Sequence, residues 1–391
     1  MTPDGTPLRV AFFGHAQGRR GDGLSTYSSE LVRALRAEGV HVRFFAHRAD
    51  GDVVPVDRHD ARLMDAWHFK TMTIPHPGAT RAIREELRRF RPHVVHISWS
   101  FSLRDGAIAR AAHDLSAACV ATFHLPHGPE GTARAAVLQG LYRYHRLQMR
   151  HVDRCITLSP GQRDLLARAG YPAEKIVVIA NGVDTDAITP GPSGARGELG
   201  ARLLVLYIGR LDPEKRVPAL VESFISLNLP DDHVLCIAGD GVQRDRLRRL
   251  AEGRSNVRLL GLVSSTRALE LLRGCDVFVL PSTAEGLALS LLEAMAAGCA
   301  IVATDAGDDA RALEGAGIVI PTHPLRPALD DAMRRLVREP VLRASLGEAA
   351  RKRAVNEFAM TDTARRVMAV YTRAIRTRRA APGTPAAAAL P

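Results

Sequence analysis

The chain of 391 residues has few cysteines, no leader-like start and no long apolar run. Its five cysteines are scattered without CxxC or Cys/His metal spacing, which predicts buried thiols in a reducing compartment and disfavours a structural metal. The start, MTPDGTPLRVAFFGH, has no basic region ahead of an apolar stretch, and nowhere do 18 apolar residues stand together. We therefore expect a cytoplasmic protein with neither a secretory signal nor a membrane-spanning helix.

The dinucleotide-binding fingerprint GxGxxG is also missing. Gly21 and Gly23 precede a helical segment, but Thr26 stands where the third glycine is needed, and the next strand, VRFFAH, ends without an acidic residue for a ribose. A dehydrogenase is therefore disfavoured. The loop AQGRRGDG still leads into a helix, and a glycine-rich turn at a helix N-terminus can bind an anion. An ordinary connection between a strand and a helix is the alternative interpretation.

Composition and charge narrow the class of protein. The chain is 46% hydrophobic, so it can form a large core, and its length indicates two domains. The net charge of +11 permits anionic partners, but no nucleic-acid-binding motif accompanies it, so nucleic-acid binding is disfavoured. The densest basic runs, at 81–91, 143–154 and 365–379, are explained most simply by solvated helix faces, and peripheral contact with an anionic membrane is the alternative.

Short apolar runs rich in Val and Ile alternate with helical segments along the chain, which is typical of α/β proteins with doubly wound parallel sheets. The stretch TPGPSGARGELGA has no periodicity and is rich in Gly and Pro, so it marks a boundary. We predict a first Rossmann-like domain over 1–190, a linker over 191–201 and a second Rossmann-like domain over 202–360. A helix over 361–378 and a disordered tail over 379–391 follow.

The stretch 276–305 combines a buried strand, a polar loop, a helix and a second buried strand. Its helix formers begin at Leu287 and stop at Gly298, a common C-terminal cap. Ligands bind at the carboxyl ends of the strands of an open parallel sheet, so we expect the loop before this helix to face a ligand. Glu285 and Glu293, if both lay on one helix, would be about 12 Å apart and too distant for a carboxylate pair. Two surface glutamates flanking a core helix are the alternative.

A second segment, GRLDPEKR, follows the strand LLVLYI and presents Arg210 and Lys215 on a loop. Cations at the carboxyl edge of a parallel strand suit a diphosphate, because arginine binds it in a bidentate way and lysine supplies a compact charge. Surface salt bridging would explain the same residues.

Together these segments resemble the retaining nucleotide-sugar glycosyltransferases of family 4 (group 1), which have the GT-B fold. The spacing of Glu285 and Glu293 in EGLALSLLEAMAAG is similar to the family signature, GRLDPEKR to its diphosphate-binding loop, and VVIANGVD to the turn that closes its first domain. The resemblance implies two Rossmann-like domains facing a cleft, with the donor held mainly by the second. It also implies transfer of a hexosyl-type group from a nucleoside diphosphate sugar to an acceptor hydroxyl, with retention of configuration and with no bound metal or other cofactor. A lipid, a polysaccharide and a small metabolite all fit as acceptor.

The resemblance also implies roles for individual residues of the second domain. Arg210 and Lys215 would stabilise the departing nucleoside diphosphate, Glu285 would bind the donor sugar, and Glu293 would bind the ribose. The backbone of the helix start would bind the phosphates, and backbone groups after VRLLG would lie against the nucleobase. The residues in these two backbone sets are Gly286, Leu287, Ala288 and Leu289 for the phosphates, and Leu262 and Val263 for the base.

In the first domain, the resemblance implies that Gly23 lies beside the diphosphate and that His124, at the end of the strand CVATFH, contacts the donor sugar. His127 and His96 are alternatives for the histidine, and each histidine also has a purely structural interpretation. Asp22 stands where the family has the first of two glycines. Because a carboxylate would repel a diphosphate, Asp22 is expected to face the acceptor.

The segment after residue 305, AGDDARALEGAGIVIP, departs from the Gly-rich loop with Pro and Glu that is common in the family. This departure leaves the details of sugar recognition open. Asp22 and this altered loop motivate one alternative, a non-catalytic glycosyltransferase-like binding subunit. A second alternative, a GT-B nucleotide-sugar epimerase, would use the same phosphate site without an acceptor, and the match at 210–215 together with Glu285 and Glu293 disfavours it.

Overall fold

The computed structural model describes residues 2, 5–15, 23–47, 54–64, 66–69, 72–75, 78–99, 105–124, 140, 142–143 and 145–380. Its contacts divide the chain into two compact units, which are described in turn. The first unit holds residues 1–181 and 360–391, and the second holds residues 182–359.

The first unit is built on a parallel sheet of seven strands in the order β3-β2-β1-β6-β7-β8-β9. The strands are β1 (Arg9–Phe13), β2 (His41–His47), β3 (Ala61–Met64), β6 (Val94–Trp99), β7 (Ala118–Phe123), β8 (Arg154–Thr157) and β9 (Ile176–Val178). A separate antiparallel pair consists of β4 (Ala66–Phe69) and β5 (Met72–Pro75). Every residue of β6 and β7 is buried, as expected for central parallel strands that carry helices on both faces.

Five of the helices that accompany this sheet lie wholly within the described residues. They are α1 (Gly23–Ala37), α2 (Ala79–Phe90), α3 (Asp105–Asp114), α4 (Pro160–Arg168) and, at the end of the chain, α13 (Met360–Ala380). Ser159 caps α4, because its side chain accepts a hydrogen bond from the Gln162 N–H.

Helix α13 packs on α1 and β7 and belongs to the first unit. The Tyr371 hydroxyl on α13 lies 2.5 Å from His96 Nδ1 on β6, and His96 Nε2 lies 2.9 Å from Thr122 Oγ1 on β7. Tyr27 of α1 donates to the same Thr122 oxygen at 3.0 Å. A buried polar chain therefore joins α13 to the sheet and to α1.

The second unit has a six-stranded parallel sheet in the order β12-β11-β10-β13-β14-β15. The strands are β10 (Leu203–Ile208), β11 (His233–Ala238), β12 (Val257–Gly261), β13 (Val277–Leu280), β14 (Ala300–Thr304) and β15 (Ile318–Ile320). The helices are α5 (Ala195–Leu199), α6 (Val217–Ser226), α7 (Arg244–Ala251), α8 (Ser265–Gly274), α9 (Leu289–Ala296), α10 (Asp309–Ala312), α11 (Leu325–Arg338) and α12 (Pro340–Glu357). Strands β11, β13 and β14 are buried throughout, so the core lies on both sides of this sheet.

The boundary between the units differs from the predicted one. Residues 182–190 were assigned to the first domain, but they lie in the second unit. Arg351 on α12 explains the difference, because its guanidinium donates to the carbonyl oxygens of Ile188 at 2.7 Å and Thr185 at 2.9 Å. In addition, the Val183 N–H donates to the Phe358 carbonyl oxygen at 2.8 Å.

The predicted linker at 191–201 is instead packed structure. It contains α5, whose Ala195 is fully buried against α8. Ser193 Oγ donates to the Glu270 carbonyl oxygen at 2.6 Å, and Arg196 Nε donates to the Gly274 carbonyl oxygen at 2.8 Å. These contacts fix the segment to the second unit despite its Gly and Pro content.

At the C-terminus, α13 continues two residues beyond the predicted helix end at 378. Of the predicted tail, residues 381–391 lie outside the described residues. Within the described part of the chain, no helix has both the length and the apolar character needed to cross a bilayer.

Candidate active site

The order in which the chain adds strands to the second sheet reverses between β10 and β13, which are parallel neighbours. From β10 the chain adds β11 and β12 on one side, and then returns to add β13, β14 and β15 on the other. At such a switch point a crevice forms outside the carboxyl ends of the two neighbouring strands, and ligands bind there. The loops that follow β10 and β13 both lie at this edge.

The loop after β10 carries Arg210 and Lys215. The buried Tyr207 hydroxyl donates to the Arg210 carbonyl oxygen at 2.7 Å, which fixes the start of the loop. The Arg210 guanidinium is 56% exposed and pairs with Asp212 and Glu214, so it is held on the surface by its own loop. Its exposure leaves it available to an incoming anion.

Lys215, by contrast, is enclosed. Its ammonium group forms an ion pair with the Glu285 carboxylate, and the side chains are only 14% and 10% exposed. The Thr283 N–H and hydroxyl also donate to the Glu214 carbonyl oxygen, at 2.8 and 3.2 Å. The structure thus brings together two predicted site residues that are 70 positions apart in the sequence.

The loop from Glu285 to Ala288 leads into α9, which begins at Leu289 and not at Leu287 as the helix formers suggested. Ala288 has extended backbone angles (φ −71°, ψ 127°), so it is the N-cap residue, and its N–H donates to the Asp309 carboxylate at 2.9 Å. At the other end Gly298 has φ +78°, the left-handed conformation predicted for a C-terminal cap.

Glu293 lies on α9, one turn beyond the first residue of the helix, and is half-buried. Glu285 stands in the loop before the helix. Glu285 is therefore a loop residue and Glu293 a helix residue, so the two can contact different parts of a ligand.

Asp309 is a site residue that the sequence analysis did not single out. It is 1% exposed and begins α10, directly after the loop that follows β14. Burial raises the pKa of the Asp309 carboxyl well above its usual range, and the negative charge of Glu285 raises it further. The hydrogen bond from Ala288 and the charge of Lys215 act in the opposite direction. The departure of AGDDARALEGAG from the family pattern was the only sequence signal for it.

The remaining predicted residues of this unit, Leu262 and Val263, follow β12, and Leu262 is 50% exposed. Strand β12 is two positions from β10 in the sheet, so these residues lie about 10 Å across the edge from the Lys215 loop. Gly239, after the intervening β11, makes this edge compact: with φ +150°, it lies so close to the Gly209 carbonyl oxygen that a Cβ would collide with it.

In the first unit the strand order reverses between the parallel neighbours β1 and β6. Gly23 is the first residue of α1, and among the described residues no atom beyond its chain neighbours and its own helix backbone lies within 4 Å of the position a Cβ would take there. His124 directly follows β7, with its ring edge-on to Tyr27 at 4.5 Å between centroids. Burial lowers the pKa of His124 to about 3, so its imidazole is neutral. Asp22 and His127 lie outside the described residues.

His96, the weaker histidine candidate, is a structural residue. It is fully buried on β6, and both ring nitrogens are hydrogen-bonded in the polar chain to Tyr371 and Thr122. Burial lowers the pKa of His96 to about 3.

Among the described residues, one group has the side chains and spacing to hold a metal ion: Asp57, His59 and Asp60 in the first unit. The buried Asp60 carboxylate already has the Arg36 guanidinium at 3.2 Å and the His41 ring at 3.3 Å. The group is therefore explained as a charge-paired surface cluster.

Two Rossmann-like parallel-sheet units, with an acidic and a basic loop paired at the switch point of the second, are the architecture of the GT-B fold. Comparison with models of protein families gives the family. The model of "Glycosyl transferases group 1" matches residues 195–353, and that of "Glycosyltransferase Family 4" matches residues 21–187. The chain belongs to this family of glycosyltransferases, as the sequence analysis predicted.

Individual proteins support the assignment. The D-inositol 3-phosphate glycosyltransferase of Kineococcus radiotolerans is 26% identical over 94% of this chain and 94% of its own length. The alpha-maltose-1-phosphate synthase of Mycolicibacterium smegmatis is 29% identical over 58% of this chain, and the match spans 64% of that protein's length. The Anabaena protein HepE in complex with UDP has the same fold, with a TM-score of 0.75 and 18% identity over 94% of this chain and all of that one.

Proposed function

We propose that this protein transfers a hexosyl-type group from a nucleoside diphosphate sugar to an acceptor hydroxyl, with retention of anomeric configuration. The observation that carries the proposal is the ion pair between Lys215 and Glu285. It brings a candidate phosphate-binding cation and a candidate sugar-binding carboxylate together at the sheet switch point. The Anabaena protein HepE, which has the same fold, is in complex with UDP, and this supports a nucleotide as part of the donor.

Charge explains how the site would act on the donor. When the bond between the sugar and the diphosphate breaks, negative charge grows on the departing phosphate. Lys215 and Arg210 would already be in place to stabilise it, and such preorganised charge lowers the barrier. The free N–H groups at the start of α9 would add to this effect. With these groups in place the reaction does not depend on a bound metal.

Glu285, before α9, and Glu293, on α9, would bind different parts of the donor. Glu285, beside Lys215, would accept hydrogen bonds from the sugar hydroxyls, and Glu293, further along the helix, would bind the ribose. In the first unit, Gly23 would leave room at the start of α1, and His124 would contact the sugar. A neutral imidazole suits that role, because it can donate one hydrogen bond and accept another.

Retention would follow from attack on the same face of the sugar as the departing phosphate. The bond between the anomeric carbon and the phosphate oxygen breaks, the bond to the acceptor oxygen forms, and the acceptor proton passes to the phosphate. This route needs no nucleophilic carboxylate, which agrees with the ion-paired state of Glu285.

The first experiment is calorimetric titration with UDP, GDP, ADP and their hexose conjugates, without added metal. We expect tight binding of one nucleotide class. Lys215→Ala and Glu293→Ala should each weaken that binding at least tenfold, which is about 1.4 kcal/mol. Lys352→Ala is the matched control, because Lys352 is an exposed lysine on α12 of the same unit.

Binding of no nucleotide, or equal binding by wild type and both site variants, would contradict the proposed donor site. Once the donor is known, NMR of the product formed with a panel of hydroxyl acceptors reports the anomeric configuration. An inverted product would contradict the same-face mechanism. Conversion of the donor without an acceptor would favour an epimerase, and nucleotide-sugar binding without turnover would favour a non-catalytic subunit.

A further inference from the structure

The backbone of the loop before α9 is contacted by three consecutive residues, 307–309, at the end of the loop after β14 and the start of α10. Gly307 has φ +71° and lies so close to the Glu285 carbonyl oxygen that a Cβ would collide with it. The Asp308 N–H donates to the Gly286 carbonyl oxygen at 2.9 Å. The Asp309 carboxylate accepts from the Ala288 N–H at 2.9 Å. Residues 307–309 therefore fix nearly every peptide between Glu285 and the first residue of α9.

Of these contacts, the one from Asp309 is made at the N-cap residue of the helix. Helix α9 has no side-chain cap of its own, because its N-cap residue is Ala288. Asp309 holds this N-cap through the Ala288 N–H, and the N–H groups of Leu289 and Ser290 follow in the first turn of the helix. Those N–H groups carry the partial positive charge of the helix N-terminus.

The position of Asp309 is costly for a carboxyl group, because it is 1% exposed and close to a second carboxylate. Lys215 offsets part of that cost, and Lys215 is also the partner of Glu285. Asp309 thus contacts the backbone of the proposed phosphate loop through the Ala288 N–H, and its carboxyl group interacts electrostatically with Glu285 and Lys215. A residue that only capped the helix would not need to lie near these two charged side chains.

We propose that Asp309 is a positioning residue for the donor diphosphate, acting through the Ala288 N–H to set the orientation of the N–H groups at the start of α9. The inference rests on the proposed function, since it assigns a role within the same donor site. It concerns a residue in the part of the chain that departs from the family pattern.

Two substitutions separate the hydrogen bond from the charge. Asp309→Asn keeps an oxygen that can accept from the Ala288 N–H and removes the ionisable group. Asp309→Ala removes the acceptor, and Asp309→Ser, whose oxygen is one bond closer to the backbone, replaces it if the alanine variant does not fold. Glu314→Ala is the matched control, because Glu314 is an exposed carboxylate a few residues along the same segment.

The test is titration with the nucleoside diphosphate that the wild type binds and with the corresponding monophosphate, alongside thermal unfolding of every variant. We expect Asp309→Ala to weaken diphosphate binding at least tenfold and monophosphate binding less than threefold. Asp309→Asn should restore diphosphate binding to within threefold of wild type, and Glu314→Ala should bind as wild type does. A folded Asp309→Ala or Asp309→Ser variant with this pattern supports the inference.

Three results would overturn it. The first is unchanged diphosphate binding in Asp309→Ala or Asp309→Ser. The second is an equal loss for diphosphate and monophosphate in step with a lower unfolding temperature, because that pattern indicates a structural role alone. The third is a wild type that binds no nucleoside diphosphate, which removes the proposed function itself and is distinguished by the failure of the unmodified protein.

Discussion

The ion pair between Lys215 and Glu285 should contribute strongly to the stability of the second unit. Lys215→Ala leaves the Glu285 carboxylate, which is 10% exposed, beside the buried Asp309 without its cation. Removing one partner of a buried ion pair costs about 3–5 kcal/mol. We therefore expect the variant to lose a large part of its free energy of unfolding at neutral pH.

In a unit of this size, 4 kcal/mol corresponds to a fall in the unfolding temperature of roughly 8–16 °C.

Thermal and denaturant unfolding at neutral pH measures the effect, with Lys215→Ala, Glu285→Gln and the double variant forming a mutant cycle. The double variant removes both charges and should recover most of the stability lost in Lys215→Ala. Arg210→Ala is the control, since its exposed ion pairs should contribute less than about 1 kcal/mol. Equal stability of Lys215→Ala and the double variant, or a loss in Lys215→Ala no larger than that in Arg210→Ala, would refute the reasoning.

Three further predictions concern other contacts. Burial lowers the pKa of His96 from 6.5 to about 3, so the stability that the neutral imidazole allows above pH 6.5 is lost as the pH falls towards 3. In denaturant unfolding, the His96→Gln variant should therefore lose about 3 kcal/mol less stability between pH 7 and pH 4 than the wild type does. Tyr371→Phe removes the hydroxyl that bonds His96, and should lower the free energy of unfolding by about 1–3 kcal/mol; an unchanged value would show that this link does not hold α13. Gly307→Ala places a Cβ against the Glu285 carbonyl oxygen in a left-handed backbone conformation, so calorimetry should show nucleotide binding weakened at least tenfold, whereas Gly315→Ala, also at positive φ but with open space around it, should bind as wild type does.

The sequence by itself determined the architecture within each unit. Runs rich in Val and Ile, alternating with helical segments, predicted doubly wound parallel sheets, because strands buried on both faces must be apolar along their whole length. The segments GRLDPEKR and EGLALSLLEAMAAG predicted loops at the carboxyl edge, and the structure has them there. Gly298 marked the end of α9 correctly, since a cap at positive φ is a local property of the chain.

Only the tertiary structure decided which of these loops touch. The order of the strands puts the loops after β10 and β13 side by side, and so pairs Lys215 with Glu285 across 70 residues. The same order brings the Asp309 carboxylate to the Ala288 N–H at the start of α9. Arg351 likewise draws residues 185–188 into the second unit. Such contacts depend on which strands are neighbours, and the pattern of apolar residues along a strand does not encode its neighbours.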